Sequence, residues 1–300
     1  MRLVVTGREG QVVRSLLERA VGRDIEVVAL GRPELELAGP EDRIIAAVEA
    51  ARPDVLVSAA AYTQVDKAES EPELAFAIND AGPRALAKAA RRMGVPLIHL
   101  STDYVFDGSK PSPYTEEDST GPASVYGSSK LAGEQAMLAE HGNSAILRTA
   151  WVYSPFGGNF VKTMLRLAVQ RDELRIVADQ RGNPTCALDI ADGILAVAAN
   201  LRDSDDRRYR GIFHMTAAGE ASWAEFAAAI FAESRRLGGP SAIVTPIATA
   251  DYPTPATRPA NSRLESSKLE RVHKVRLPEW RSSLKQVVER LVQPMRSVAE

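Results

Sequence analysis

The chain predicts a doubly wound α/β fold, a parallel sheet covered by helices, followed by a smaller and less regular unit. Three features predict it. Short apolar runs alternate with helical stretches from Arg2 to about Ala150, the pattern of parallel strands joined by crossover helices. The first run, Arg2 to Thr6, passes straight into a glycine turn and then a helical stretch. Beyond Ala150 the regular alternation lapses.

Arg2 to Thr6 is the kind of short apolar run that forms a strand buried on both faces. In the turn that follows, Gly7 permits the tight bend and Gly10 lets backbone approach a pyrophosphate. The helix opening at Gln11 and Val12 supplies free N–H groups for an anion. The pattern is Gly-x-x-Gly, with Val13 where a third glycine often sits, so helix and strand are expected to pack slightly farther apart. At this point an ordinary strand-to-helix turn reads the same way.

Ile25 to Leu30 is the second strand. The residues after it, Arg32, Glu36 and Leu37, stand where such folds place an adenosine ribose. An acidic residue there favours a free 2′-hydroxyl and an arginine a 2′-phosphate, so Arg32 and Glu36 leave NADH and NADPH both open. Solvated loop charge accounts for them equally well. Pro40 to Ala51 reads as a helix and Asp54 to Ser58 as the third strand. The small residues Ala59, Ala60 and Ala61, before Tyr62, let a flat cofactor lie against the backbone. Glu73 to Met93 reads as one helix kinked at Gly82-Pro83. Pro96 to Leu100 is the fourth strand, and Ser101-Thr102-Asp103 leaves its carboxyl end, the edge where open α/β sheets bind ligands. Thr102 is thereby placed to hydrogen-bond a substrate oxygen, although a plain turn threonine looks the same. Phe106 to Gly121 is a loop, Ser124 to His141 a helix and Ser144 to Thr149 a strand.

Further on, helices are expected near Asn159 to Gln170, Leu188 to Leu201 and Glu279 to Val292, and strands at Leu174 to Val177, Gly211 to Thr216 and Ala242 to Ile247. Ser222 and Glu225 form a capping box opening a helix to Arg236. Asp251 to Arg263 reads as irregular. The resulting division is a dinucleotide-binding unit of the Rossmann type over 1–150, with returning segments at about 186–217, and a substrate unit over 151–185 and 218–300.

Composition excludes several classes. Hydrophobic residues make up 45% and charged residues 25% of the 300, as in ordinary globular proteins. A net charge of −2 gives no reason to expect nucleic acid or an anionic membrane as partner. No apolar run approaches a membrane span, and Leu3-Val4-Val5 is too short for a signal-peptide core. A single cysteine, Cys186, suits a reducing compartment and reads as a small buried residue. A cytoplasmic enzyme is the expectation. His99, His141, His214 and His273 lack metal-ligand spacing, so no metal site is assigned.

Tyr126 and Lys130 carry the chemistry. Four apart on a helix, they lie on one face. An ammonium beside a phenol stabilises the phenolate, which makes the phenol a proton donor of lowered pKa. The spacing also occurs by chance on surface helices, so its meaning depends on the cofactor fold around it.

Several stretches together resemble the extended short-chain dehydrogenase/reductases: Gly7-Arg8-Glu9-Gly10-Gln11-Val12, Ala59-Ala60-Ala61-Tyr62-Thr63, Val65-Asp66-Lys67-Ala68-Glu69, Ser101-Thr102-Asp103-Tyr104-Val105-Phe106, and Tyr126-Gly127-x-x-Lys130-Leu131-Ala132-Gly133-Glu134. The resemblance continues through Arg148-Thr149-x-Trp151-Val152-Tyr153, Asn159 to Leu165, Asp179-Gln180-x-Gly182-x-Pro184-Thr185 and Arg258-Pro259-x-Asn261-Ser262, nearly the whole chain in order. It implies NADPH- or NADH-dependent hydride transfer to the C4 ketone of a dTDP-linked 6-deoxy-hexulose. Tyr126 would then protonate the C4 alkoxide, Lys130 lower the tyrosine pKa and hold the nicotinamide ribose, and Thr102 hydrogen-bond the C4 oxygen. Asp103 and Trp151 would lie against the sugar. The cofactor would be lined by Gly7, Gly10, Gln11, Val12, Arg32, Glu36, Leu37, Ala59 to Ala61 and Tyr62. Some relatives form dimers bridged by magnesium on glutamates, one of them on the first helix, where this chain has Ser15; a monomer or homodimer is expected. Nucleotide-sugar epimerases and dehydratases share the Tyr/Lys pair, but a dehydratase commonly follows its threonine with Asp-Glu, and here Tyr104 follows Asp103. The regulatory subunit of methionine adenosyltransferase is also similar, so fold alone does not establish activity.

Overall fold

In the computed structural model, which describes residues 1–296, six strands form one parallel sheet. They are β1 (Arg2–Thr6), β2 (Glu26–Leu30), β3 (Val55–Ser58), β4 (Leu97–Thr102), β5 (Ser144–Thr149) and β6 (Gly211–His214), in the spatial order β6-β5-β4-β3-β1-β2. The strand order reverses between β1 and β3, so the connections there leave in opposite directions and open a crevice at the carboxyl edge.

The two-residue period of the strands sorts the core into two layers. Leu3 and Val5 of β1, with Val55 and Val57 of β3, pack against α1 (Gln11–Arg19). A long helix following Cys186, Ala187–Asp203, covers the same face. Val4 and Leu56 point the other way, towards the helices Glu41–Ala51, Gly82–Met93 and Val125–Glu140. The continuous apolar runs thus reflect burial on both sides. A separate apolar cluster lies after the sheet's fifth strand, where Tyr153, Phe226, Phe231 and Trp280 pack together and the Tyr153 hydroxyl donates to the Trp280 carbonyl at 3.0 Å. There Glu173–Val177 and Ile243–Ile247 pair as parallel strands. The expected capping box is present, with Ser222 and Glu225 each bonding the other's backbone N–H. The substrate unit expected to run to residue 300 ends outside the described residues at 297–300.

Two expectations need correcting. The single kinked helix over Glu73 to Met93 is instead a short helix, Pro72–Phe76, a π-helical turn, Ala77–Ala81, and then Gly82–Met93. The wider turn carries Asn79 into the interior, where its side chain bonds both backbone groups of Tyr62 and the Ser129 hydroxyl. A tertiary demand of this kind leaves no mark in helical periodicity. The fourth strand also runs two residues farther than expected, because Ser101 and Thr102 continue the ladder opposite Arg148 and Thr149. Thr102 is therefore fixed by the sheet rather than carried on a turn.

Candidate functional site

The helix Val125–Glu140, labelled α2 here, starts at Ser124, whose hydroxyl accepts from the Gly127 N–H at 3.1 Å. A Cβ at Gly127 would lie 2.2 Å from the Tyr104 carbonyl oxygen, and one at Gly133 2.0 Å from that of Asn79. Both glycines let this helix press against neighbouring backbone, the first against the segment leaving β4 and the second against the π-helical turn. Tyr126 is brought to the carboxyl end of β4, its ring edge-on to Tyr104 with centroids 5.6 Å apart.

The Thr102 hydroxyl donates to Asp103 Oδ1 at 2.8 Å and accepts from the Tyr104 N–H at 3.2 Å. Asp103 is buried, and its Oδ2 has no hydrogen-bond partner among the described residues. Burial pushes this carboxyl up to about 6, opposed by the Thr102 hydroxyl and then by the Ser262 hydroxyl. Lys130 is buried as well. Its Nζ donates to the Leu100 carbonyl at 2.7 Å and lies 3.2 Å from His99 Nε2. Burial pushes the ammonium down to about 8, partly offset by the Glu134 carboxylate. Glu134 in turn holds Arg148 through two hydrogen bonds of 2.9 and 2.6 Å.

The lowered phenol pKa expected of Tyr126 is not met in the protein alone. Burial raises it to about 12, Asp103 adds to the rise, and only Thr102 opposes it. The Lys130 ammonium meets β4 at the Leu100 carbonyl and His99 Nε2, which leaves one of its three hydrogens unengaged there, and it is not among the groups that act on the phenol in the protein alone.

At the crevice, Gly7 adopts φ +99° and its N–H donates to the Leu30 carbonyl at 2.8 Å. That backbone region is open to glycine at little cost. Val13 is buried within the core between α1 and the sheet. The helix start at Gly10 has no side-chain cap, which leaves the first-turn N–H groups of Gln11 and Val12 for an anion. The Thr6 hydroxyl accepts from the N–H groups of Ala59 and Ala60, both at 3.0 Å, and holds the alanine segment beside Gly7. A left-handed glycine turn, an uncapped helix start and a small-residue strand end fit a dinucleotide.

A family model described as the RmlD substrate binding domain matches residues 1–293. A dTDP-4-dehydrorhamnose reductase of Sinorhizobium fredii is 53% identical over 288 residues, covering 96% of this chain and 97% of that protein. The chain belongs to the dTDP-4-dehydrorhamnose reductase family. Two solved structures of such reductases share its fold. That from Clostridium acetobutylicum has a TM-score of 0.89 at 39% identity, covering 98% of this chain and 100% of the other. That from Bacillus anthracis, in complex with NADP, has a TM-score of 0.88 at 33% identity, covering 95% and 98%.

The other predicted residues of this reductase-family chain take differing places. Arg32 and Glu36 form an ion pair at 3.6 Å on the surface after β2, while Leu37 is buried beneath Gly82. The Gln11 side chain is occupied in joining the glycine turn to the segment after β5, through the Val152 carbonyl, Ser154 and Asn159. Tyr62 is held by Asn79 and donates its hydroxyl to Glu71 at 2.6 Å. Trp151, at φ +47°, stacks on Trp223 with centroids 3.5 Å apart and donates to Ser262 Oγ at 3.1 Å. A Cβ at Gly182 would lie 2.4 Å from its ring, so glycine is what admits the indole. Sequence reasoning missed Thr6, Asn79, His99 and Trp223. Of these, only Trp223, directly after the capping-box serine, carried a local signal. Ser15 is buried and donates to the Gln11 carbonyl at 2.8 Å, and among the described residues no group of three or more His, Cys, Asp or Glu could hold a metal ion.

Proposed function

We propose that this chain reduces the C4 ketone of dTDP-4-dehydro-6-deoxy-L-mannose to dTDP-L-rhamnose, with NADPH or NADH as cofactor. The placement of Tyr126 against Tyr104 at the carboxyl end of β4, where Thr102 lies, with Lys130 one helical turn behind, is the observation that carries it. The bound nicotinamide cofactor supplies the hydride. Tyr126 gives its phenolic proton to the C4 oxygen as charge develops there, and Thr102 hydrogen-bonds the same oxygen. Lys130 stabilises the phenolate left behind and holds the cofactor ribose. Asp103 and Trp151 border the sugar. Gly7, Gly10, Gln11 and Val12 hold the pyrophosphate through backbone, Arg32, Glu36 and Leu37 border the adenosine ribose, and Ala59, Ala60, Ala61 and Tyr62 lie along the cofactor. The Thr102 proton, held by Asp103 Oδ1 in the protein alone, turns to the C4 oxygen as its charge develops.

The enzyme works in the cytoplasm as a monomer or homodimer. The buried thiol of Cys186 suits that setting, and among the described residues no helix is long and apolar enough to cross a membrane. The deciding experiment follows NAD(P)H absorbance with the dTDP-linked 4-ketosugar beside its UDP- and GDP-linked analogues. Oxidation with the dTDP sugar is the expected result, and none with any of the three overturns the assignment.

A further inference from the structure

A buried group with no part in the chemistry above lies directly under Lys130. His99 is on β4 and fully buried. By the two-residue alternation it shares a face with Leu97, the face covered by α2. Its Nε2 lies 3.2 Å from Lys130 Nζ and its Nδ1 3.0 Å from Ser58 Oγ, at the end of β3. An ammonium has three hydrogens and no acceptor, and a neutral imidazole has one donor and one acceptor. The nitrogen facing the ammonium must therefore offer its lone pair. The ring proton then sits on Nδ1 and goes to Ser58. Burial and the neighbouring Lys130 charge hold His99 well below its ordinary pKa, which keeps the ring neutral.

We propose that His99, set as its Nδ1–H tautomer by Ser58, is a positioning residue for Lys130. With the Leu100 carbonyl it occupies two of the three ammonium hydrogens and leaves the third for the reacting site. This rests on the reductase assignment for its kinetic consequence, though not for its tautomer. The charged or titratable groups around Lys130 are His99 on β4, Glu134 on its own helix with Arg148 of β5 paired to it, and Tyr126 and Asp103 at the mouth. Of these, His99 is the one that, among the described residues, brings an atom within hydrogen-bonding distance of the ammonium nitrogen, at 3.2 Å.

Two measurements test it. Two-bond nitrogen–proton correlation spectra of the nitrogen-15-labelled protein identify the His99 ring as the signal lost in His99→Gln. An Nδ1–H pattern that persists from pH 8 to pH 5 is expected. An Nε2–H or imidazolium pattern overturns the proposal, whatever the enzyme's activity. In kinetics, His99→Leu removes the acceptor and is expected to lower kcat/KM about 10- to 100-fold, the weight of one charge-assisted hydrogen bond. It is also expected to move the alkaline limb of the pH profile down by about one unit, since Lys130 loses support for its charge. His99→Gln presents an oxygen near the Nε2 position and restores the limb. A merely structural histidine would lower activity without moving that limb, and an unmoved limb in His99→Leu overturns the proposal. Should that variant fail to fold, the tautomer measurement decides alone. A wild-type protein that oxidises no NAD(P)H ends the reductase reading and leaves the tautomer result standing.

Discussion

Lys130→Met is the substitution whose outcome the structure determines most fully. Burial lowers the ammonium from its ordinary 10.5 to about 8. At 1.36 kcal/mol per unit, the folded state carries a penalty of about 3 kcal/mol for keeping that charge at neutral pH. The folded pKa lies below the unfolded one, so the folded protein binds fewer protons between the two values. Stability from this group is therefore fully present above about pH 10.5 and lost as pH falls through about 8. Methionine fills a similar volume without charge, and gives up the bonds to Leu100 and His99 at about 1 kcal/mol each. The variant is expected to be more stable than wild type by about 1 kcal/mol at pH 7 and less stable by about 2 kcal/mol at pH 10.5. Turnover is lost at both. Urea unfolding midpoints of the two proteins at pH 7, 9 and 10.5 read the difference directly. A stability difference that stays flat across that range would refute the claim that Lys130 is held charged against its surroundings. A site that costs stability in order to keep a reactive charge is the usual form of the stability–activity trade-off.

Tyr126→Phe removes the proposed proton donor and should lower turnover about 10²- to 10⁴-fold while cofactor binding persists, measured by NAD(P)H oxidation and fluorescence titration; near-normal turnover rules out the phenol as acid. Glu134→Gln leaves Arg148 with 3% side-chain exposure and no carboxylate, which should cost about 3–5 kcal/mol in denaturant unfolding. A loss below about 1 kcal/mol would mean that water reaches the guanidinium. Asp103 is raised from 3.8 to about 6, so its stabilising contribution is fully present below about pH 3.8 and lost as pH rises through about 6. Thermal melts should accordingly show Asp103→Asn gaining on the wild type by about 2 kcal/mol between pH 4 and 7, and parallel melting curves contradict the shift.

The sequence by itself determined the sheet. Continuous apolar runs are legible because strands buried on both faces need no polar alternation, and Leu3, Val4 and Val5 go to opposite layers with no break in hydrophobicity. The glycine turn and the Tyr126–Lys130 spacing were legible for a related reason, since both are fixed by local backbone geometry. Tertiary structure decided the rest. The π-helical turn exists because Asn79 must reach Tyr62 and Ser129, partners 17 and 50 residues away. The Tyr126 phenol stands high because desolvation depends on what packs around it, and the partners of Lys130 are a backbone carbonyl and a histidine some 30 residues earlier in the chain. Trp151 stacks on Trp223, far along the chain, because Gly182 leaves room for the indole. Periodicity records which face of an element is buried. It does not record which distant polar group that face meets, and the protonation states of this site depend on those meetings.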